Sequence, residues 1–249
     1  MIVGIHQPNY LPWIGYFVKI ARSDRFILLD DAQYARGGFI NRNRIKTPRG
    51  PEWLTVPVRS AGRLAVPIGE IVPCHDTPWA RTHLRTIETN YRRAPHYAEV
   101  MDSLLRPVLE APREAAVWAS LASLNTELIR RICAGLGIDT PLVKASTIGV
   151  PSRGTRRLVD LVQSVGGTAY LSGRGGDRYQ DAHAFAGAGI ELLYNDFDPP
   201  RYPQLWGAFE PNLSIIDYLM CCGPSAARDF VTAAAGTAGA RAAFAAQGI

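Results

Sequence analysis

The sequence has little of the chemistry that holds metals or forms covalent intermediates. Its 249 residues include only four cysteines, five histidines and three methionines. None of the cysteines stands in the CxxC spacing of zinc and redox sites, and the adjacent Cys221 and Cys222 lie in an apolar segment that favours buried thiols. No GxSxG motif is present, and no cysteine stands beside a lysine or arginine that would activate it as a nucleophile. We therefore expect no metal site and no covalent intermediate.

Long apolar runs are also missing. No stretch approaches the roughly 18 apolar residues that suggest a membrane span. Met1 leads directly into Ile2–Ile5 without the basic leader of a secretion signal. We expect a soluble cytoplasmic protein that does not associate with membranes.

Charge of one sign is not strongly in excess. Lysine and arginine number 27 against 22 acidic residues, which gives a net charge of +5 and a pI near 9.2. A mildly basic chain suits anionic ligands, but the sequence shows no basic helix or aromatic platform, so we expect no nucleic-acid partner. The apolar fraction of 47% is enough for one large core.

What is present is an alternation of strand and helix patterns. Residues 1–5 predict a buried strand, a helix ends near Arg22, and the apolar run from Arg25 predicts a second strand that ends at Asp30 and Asp31. Such a βαβ unit is right-handed and parallel. The fold class is therefore α/β, with a mostly parallel, Rossmann-like nucleotide-binding sheet. One domain is expected over residues 1–232, followed by an Ala/Gly-rich tail over 233–249 that is frayed or disordered.

Two segments interrupt this alternation. Residues 35–75 predict a small β insertion, with strands near 39–46 and 53–58 and a third near 64–71. Residues 76–137 predict helices: Trp79, His83, Ile87 and Tyr91 recur on one helical face, and a second helix covers about 115–134. The alternation then resumes with strands near 142–145, 169–171 and 190–194, and helices near 156–165, 179–186 and from 213 onward.

The loop after the first strand carries the densest chemistry. It reads His6-Gln7-Pro8-Asn9-Tyr10-Leu11-Pro12-Trp13, and parallel α/β sheets bind ligands at the ends of their strands. We expect His6 to be a general base or substrate contact, with Asp30 or Asp31 orienting it or holding a substrate ammonium. The candidate catalytic residues are His6, Asp31 and His83, and the candidate loop contacts are Gln7, Asn9, Tyr10 and Trp13.

Further candidates lie downstream. The run Asn41-Arg42-Asn43-Arg44 offers amides and guanidinium forks for an anionic or peptide-like group, although alternation alone does not choose between its two faces. Ser172-Gly173-Arg174 opens a glycine-rich turn after a strand, where backbone N–H groups could meet a phosphate. Tyr202, Gln204 and Ser214 complete the predicted set, with helix capping an alternative role for Ser214.

Several blocks together resemble the WbqC-like protein family. They are HQPNYLPWIGYF from His6, DDAQY from Asp30, NRNRIKTPRG from Asn41, WLTVPV from Trp53, YLSGRGG from Tyr170, the Tyr202-Pro203-Gln204 block and LSIIDYL from Leu213. The resemblance spans Gly4 to about Gly223. It implies an accessory enzyme of surface-sugar (O-antigen) or specialised-metabolite biosynthesis, in the manner of a transferase acting on aminated intermediates.

A second resemblance concerns nucleotidyltransferases with an HxGH motif at the start of their first helix. At that place this chain has Trp13-Ile14-Gly15-Tyr16, so both phosphate-contacting histidines are replaced. The resemblance implies the nucleotide-type fold more than adenylyl transfer.

Three functions stay open on the sequence. The first is a transferase that moves an activated acyl-type group onto an amine of a sugar or small metabolite. The second is a nucleotidyltransferase-related enzyme with a degenerate motif, and the third is a non-catalytic ligand-binding or scaffold protein. The expected ligands are small anions or amines. The one cofactor-like group that the sequence suggests is a nucleotide-containing donor. The candidate protein partners are an acyl carrier protein and a second copy of the chain.

Overall fold

A computed structural model describes residues 1–59, 66–176 and 180–236. Its centre is a five-stranded, fully parallel sheet made of β1 (Ile2–His6), β2 (Arg25–Leu28), β7 (Leu142–Lys144), β8 (Ala169–Ser172) and β9 (Glu191–Tyr194). The spatial order is β7-β2-β1-β8-β9. The strands β2 and β7 therefore follow β1 on one side of the sheet, and β8 and β9 are then added on its other side, as in doubly wound Rossmann-like sheets. This confirms the predicted fold class.

The strands are apolar because helices cover both sheet faces. One face packs against α1 (Ile14–Ala21) and the long α9 (Ile215–Gly236), with Phe17 and Ile216 fully buried. The other face packs Val3 and Ile5 against α7 (Gly154–Ser164) and α8 (Ala182–Gly187). Alternate residues of β1 thus serve two cores, as period-two geometry requires.

The β insertion is a separate antiparallel hairpin, β3 (Arg42–Thr47) and β4 (Gly50–Thr55), in which Arg44 lies opposite Trp53. The predicted third strand near 64–71 is wrong for its described part. Pro67 makes an isolated bridge with Gln33, and Ile68–Glu70 forms a 3₁₀ turn. The strand that follows, β6 (Val72–Pro73), pairs with β5 (Val58–Arg59). Residues 64 and 65 lie outside the described residues. Pro67 and Pro73 favour short pieces here because proline lacks the N–H that a ladder needs.

The helical middle segment comprises α2 (Trp79–Tyr91), α3 (Tyr97–Val100), α4 (Arg106–Leu109) and α5 (Leu121–Leu136). The stripe of Trp79, His83, Ile87 and Tyr91 is buried, as the spacing predicts. Helix α5 starts later than predicted because Ser120 caps it by accepting the N–H of Ser123, and it stops at Gly137 in the left-handed region. A short α6 (Ala145–Ile148) follows β7.

Helix α8 begins at Ala182 rather than near Tyr179, which lies outside the described residues. Asp181 caps it by accepting the N–H of His183. Helix α9 bends at Gly223, whose φ of 87° precedes Pro224. A Cβ at Gly223 would lie 2.6 Å from the His96 ring, so the bend and the close contact both require glycine. The described part of α9 reaches Gly236, and the predicted tail beyond that residue lies outside the described chain.

Candidate functional site

The candidate site is an open cleft of about 660 Å³ at the carboxyl edge of the sheet. It lies beside β1 and β8, the neighbouring strands at which the winding direction reverses. That switch point leaves a crevice, because the connections that follow the two strands run in opposite directions. The lining consists of His6, Trp13, Gly173, Arg174, Gly175, Asn195, Asp196, Phe197 and Asp198. Of the sequence-predicted residues, the cleft brings together His6, Trp13, Gly173 and Arg174.

Other depressions lie away from this edge. One of about 640 Å³ separates the β3–β4 hairpin from α2, and one of about 520 Å³ surrounds Trp79 and Trp118. A third, of about 310 Å³, lies between α5 and α9. None of these three lies at the ends of the parallel strands, so the cleft is the best candidate.

His6 is the last residue of β1, and a hydrogen bond of its ring defines its tautomer. Its Nδ1 lies 3.0 Å from the carbonyl oxygen of Gln7, an atom that can only accept, so Nδ1 carries the proton. The Nε2 atom is then a free acceptor. Burial, and secondarily the Lys19 ammonium, lower the pKa of His6 to about 4, so the half-buried ring stays neutral at physiological pH. An edge contact with Tyr16 at 5.0 Å fixes the plane of the ring.

Lys19 is a buried cation beneath this position. Its Nζ donates to the carbonyl oxygen of Ile5 at 2.6 Å and lies about 6 Å from the rings of Phe26 and Tyr170. Burial lowers the pKa of Lys19 to about 7. Its burial could not be predicted from the sequence, because one lysine within an apolar helix usually indicates a surface position.

Two aromatic rings form one wall of the cleft. Trp13 and Phe197 are 5.5 Å apart, and both lie directly over Gly15 in the first turn of α1. A Cβ at Gly15 would lie 2.4 Å from a carbon of the Trp13 ring, so this close approach requires glycine. Such a wall suits a flat or apolar part of a ligand.

The opposite wall is charged. Arg174 and Asp196 form a fork-to-fork pair, with Nε of Arg174 2.8 Å from Oδ1 of Asp196, and the guanidinium stacks on Tyr194 at 4.5 Å. Both side chains are about half exposed. Asp196 occupies the Nε and Nη2 donors of Arg174, so an anionic ligand would compete with this carboxylate for that edge of the guanidinium.

The shape of the first loop is fixed by groups far along the chain. Leu11 adopts a φ of 42°, and its carbonyl oxygen accepts from Asn43 Nδ2 and Ser214 Oγ, each at 2.7 Å. Buried Asn125 donates to the carbonyl oxygens of Pro8 and Ile40 at 2.8 and 2.7 Å. These contacts compensate the strain of a non-glycine residue in that region. Asn43 and Ser214 therefore face the loop, and their substrate-binding role stays a prediction.

His83 and Tyr10 also support the loop from below. The Nε2–H of His83 donates to the carbonyl oxygen of Thr55 at 3.1 Å, and its Nδ1 accepts from the Tyr10 hydroxyl at 2.9 Å. Burial lowers the pKa of His83 to about 4. The pair lies away from the cleft lining, so the predicted catalytic role of His83 and the predicted ligand contact of Tyr10 stay untested. The side chains of Gln7 and Asn9 are half-buried and make no hydrogen bond within the described chain.

The two aspartates after β2 are engaged with neighbouring helices. Asp30 is buried and accepts from the N–H and the hydroxyl of Ser146 at 3.0 and 2.6 Å, at the start of α6. Asp31 pairs with Arg157 of α7. Neither aspartate touches His6, so their orienting role and their ammonium contact also remain predictions.

The arginine and asparagine alternation takes the expected form. Asn41 is buried and donates to the carbonyl oxygen of Val56 at 2.9 Å, while Arg42 and Arg44 lie on the opposite face of β3. Ser172 is fully buried, with its hydroxyl 2.9 Å from Gln180 Oε1. The cleft lining does not include these residues.

Tyr202 and Gln204 belong to a buried polar network around Asp217. The hydroxyls of Tyr91 and Tyr202 donate to the Asp217 carboxylate at 2.6 and 2.8 Å. The ammonium of Lys46 donates to Gln204 Oε1 at 3.0 Å and to the carbonyl oxygen of Ala208. Burial raises the pKa of Asp217, and the two hydroxyl donors and the charge of Lys46 oppose that rise. The network fastens the loop that carries Phe197 and Asp198 to the hairpin and to α9.

Sequence reasoning missed the residues that follow β9. Asn195 donates to the carbonyl oxygen of Gly15 at 3.1 Å, and Asp196, Phe197 and Asp198 line the cleft. Their position directly after a predicted strand was an available signal, the same one that identified His6. Lys46, Tyr91, Asn125 and Asp217 carried no comparable signal, since the hydrogen bonds that join them to one another, to Gln204, to Pro8 and to Ile40 span 45 to 158 positions.

The described residues contain no group of three or more His, Cys, Asp or Glu side chains placed to hold a metal ion. In the same part of the chain, no helix combines the length and the apolar character needed to cross a bilayer.

The fold and the cleft define a Rossmann-like α/β protein with a candidate ligand site at the switch point of its sheet. The chain belongs to the WbqC-like protein family, whose profile matches residues 7–229. It is similar to a protein of Mycobacterium tuberculosis named "Uncharacterized protein Rv1507c", with 41% identity over 225 residues that cover 90% of this chain and 95% of the relative. No solved structure matches the chain significantly.

Proposed function

We propose that the protein is a biosynthetic transferase that moves an activated acyl-type group onto an amine of a sugar or small metabolite. The observation that carries this proposal is the position of His6: a neutral imidazole, with no hydrogen bond to Nε2 in the described chain, in the lining of a cleft that also has aromatic and charged side chains. O-antigen or specialised-metabolite biosynthesis is the setting that fits an aminated acceptor.

Different side chains of the cleft would contact different parts of the substrates. Trp13 and Phe197 would cover the flat or apolar part of the donor, and Arg174 would contact an anionic part such as the phosphates of a nucleotide-containing donor. The amine and the acyl carbon would then be held close together near His6. Binding both reactants in fixed positions lowers the entropy cost of the reaction step.

The transfer step balances without a covalent enzyme intermediate. The amine nitrogen bonds to the acyl carbon, and the electron pair of the carbonyl π bond moves onto oxygen. Nε2 of His6 accepts the proton from the resulting ammonium. The carbonyl then re-forms, the bond to the leaving group breaks with its electron pair, and the leaving group receives that proton.

The nucleotidyltransferase alternative has less support in the site. Tyr16 stands where the second motif histidine would be, but it is buried and its hydroxyl donates to the carbonyl oxygen of Gln7 at 3.0 Å. Trp13 presents a ring, and among the described residues that line the cleft Arg174 is the one cation. A transferred phosphoryl group usually needs more positive charge than this.

The test uses His6→Asn, because the asparagine amide can still donate to Gln7 while no group replaces Nε2. Purified protein is incubated with acyl-coenzyme A donors and nucleotide-linked aminosugars, and amide product is quantified by mass spectrometry. We expect turnover by the wild type, a loss of about 10²-fold or more in His6→Asn, and an unchanged rate in the exposed control His183→Asn. Full activity of His6→Asn, or binding of these ligands without any wild-type turnover, would refute the transferase and favour a non-catalytic role.

A further inference from the structure

The exposed face of the β3–β4 hairpin combines aromatic rings with guanidinium groups. Phe39 and Trp53 are large apolar side chains with 48% and 43% of their surface exposed, and their rings are 5.8 Å apart. The guanidinium carbons of Arg42 and Arg44 lie 4.1 and 5.8 Å from the centre of the Trp53 ring. We name these four residues, Phe39, Arg42, Arg44 and Trp53, the hairpin face.

We propose that the hairpin face is a docking surface for an acidic protein, namely a small carrier that delivers the tethered donor group to the cleft. This rests on the proposed transferase function and specifies how its substrate arrives.

Arg44 is the strongest sign of a missing partner. Within the described chain its guanidinium has no hydrogen bond and no ion pair, and its Nε is buried without an acceptor. Arg42, in contrast, is held in place by the carbonyl oxygens of Gly37 and Gly38, but no carboxylate neutralises it there. A carboxylate from a partner would supply an acceptor for the two Nη atoms of Arg44, because only Nε of this guanidinium is among the buried atoms without an acceptor.

The charge of the surrounding segment favours an acidic partner. From Ala32 to Pro51 the sequence contains no aspartate or glutamate, and it contains Arg36, Arg42, Arg44, Lys46 and Arg49. Lys46 is buried in the Asp217 network and Arg49 is paired with Glu52, so the positive charge of the hairpin face comes from Arg42 and Arg44. Two arginines without a carboxylate partner in the described chain steer an acidic protein and speed its association.

The shape and composition favour a protein over a small molecule. The residues of the hairpin face line none of the four depressions described above, whereas small ligands bind in concave sites. Tryptophan and arginine are the side chains most enriched at protein–protein hot spots. Single-stranded nucleic acid fits less well, because Arg42 covers one side of Trp53 and Phe39 is tilted by 44° against it, which leaves no row of open rings for stacking.

The hairpin is also joined directly to the loop that forms the cleft. Asn43, between the two arginines, donates to Leu11, and the carbonyl oxygen of Arg44 accepts the N–H of Ser214 at 2.9 Å. A partner held on this face would therefore be anchored to the segment that positions Trp13.

The experiment measures binding of a fluorescent bacterial holo-acyl carrier protein by anisotropy. The wild type is compared with Arg44→Gln and Trp53→Ala, and with Arg49→Gln as a control that removes the same charge from the same hairpin. We expect salt-sensitive binding that weakens about tenfold or more in the first two variants and less than twofold in the control. Thermal unfolding checks that each variant is folded, and the exposed Trp53 gives a result even if Arg44→Gln proves unstable.

Equal binding by all variants, or no binding to the wild type, would overturn the docking surface. Tighter binding of a single-stranded RNA oligonucleotide that is lost in Arg44→Gln would overturn it in favour of nucleic acid. The two proposals also fail separately: carrier binding through the hairpin face without any turnover leaves docking and removes the transferase. Turnover of a coenzyme A donor without carrier binding would support the transferase and refute the docking surface.

Discussion

At the scale of single residues, half-buried His6 and buried His83 show that one residue type can have different roles. His6 lines the cleft and only its Nδ1 is hydrogen-bonded within the described chain, whereas both ring nitrogens of His83 are hydrogen-bonded. Both pKa values are lowered to about 4, chiefly by burial. A lowered pKa by itself therefore does not separate a candidate base from a structural histidine, and the hydrogen-bond partners do.

His83 gives a prediction about acid stability. In the unfolded chain its pKa is near 6.5, and in the native state it is about 4, so the unfolded state binds more protons between these values. The contribution of this residue to the free energy of unfolding is then constant above pH 6.5 and falls by about 3 kcal/mol as the pH drops to 4. His83→Gln should remove this part of the pH dependence.

The measurement is urea unfolding of wild type and His83→Gln at a series of pH values from 7 to 4. We expect the wild-type free energy to fall more steeply, by up to about 1.4 kcal/mol per pH unit. Parallel curves for the two proteins would contradict the assignment of His83 as a neutral, buried group.

His6 gives a related prediction about activity. Because burial holds its pKa near 4, catalysis in the free enzyme should not decline through pH 6.5 as it would with an ordinary imidazole base. A kcat/KM profile that is level from pH 8 to 5.5 and falls only below about 5 is expected. A decline centred near 6.5 would show that His6 is not the titrating base or that it is more solvated than the structure indicates.

At the scale of elements, the packing of the first turn of α1 depends on the absence of a side chain at Gly15. Gly15 lets the Trp13 and Phe197 rings close over the helix, and Asn195 binds its carbonyl oxygen. Glycine usually costs about 1 kcal/mol within a helix relative to alanine, so its presence here has a packing reason.

Gly15→Ala should displace the ring wall of the cleft. A Cβ at this place overlaps both rings, so we expect ligand binding to weaken about tenfold or more, without the stabilisation that alanine usually brings to a helix. Gly135→Ala is the matched control, because it lies within α5 and a Cβ there meets nothing within 4 Å. The control should raise stability by up to about 1 kcal/mol. Calorimetry of donor binding and thermal unfolding of both variants give the comparison, and unchanged binding by Gly15→Ala would count against the ring wall.

At the scale of the whole molecule, the Asp217 network joins four elements. Lys46 comes from β3, Tyr91 from α2, Tyr202 and Gln204 from the loop after β9, and Asp217 from α9. A buried carboxylate is tolerated because two hydroxyls and a nearby ammonium compensate its loss of water. The network therefore holds the cleft loop in place through several distant parts of the chain.

Removal of that carboxylate should be costly, and a second change should offset part of the cost. Asp217→Asn leaves the Lys46 ammonium buried without a counter-charge, so we expect a loss of about 3 kcal/mol or more in the free energy of unfolding. Lys46→Met in the same chain should recover part of this loss. The exposed pair of Arg49 and Glu52 supplies the control, because Glu52→Gln should cost less than about 1 kcal/mol. Denaturant unfolding of the single and double variants yields the coupling energy, and strict additivity would mean that Lys46 and Asp217 do not interact.

Local periodicity and the right-handed crossover rule were enough to predict the α/β class, the parallel β1–β2 unit and the buried stripe of α2. The positions of His6, Trp13, Gly173 and Arg174 in the segments after strands were also predictable, and the cleft lies there. The remaining features depend on contacts that form only in the folded chain. Asn43, Ser214, Tyr10 and His83 carry the same polar groups whether they bind a ligand or another part of the chain, and only their partners show that they hold the first loop. The Asp217 network could not be predicted from the sequence for the same reason. Its hydrogen bonds include pairs of residues more than a hundred positions apart, and such bonds leave no local pattern because their geometry exists only after the chain has folded.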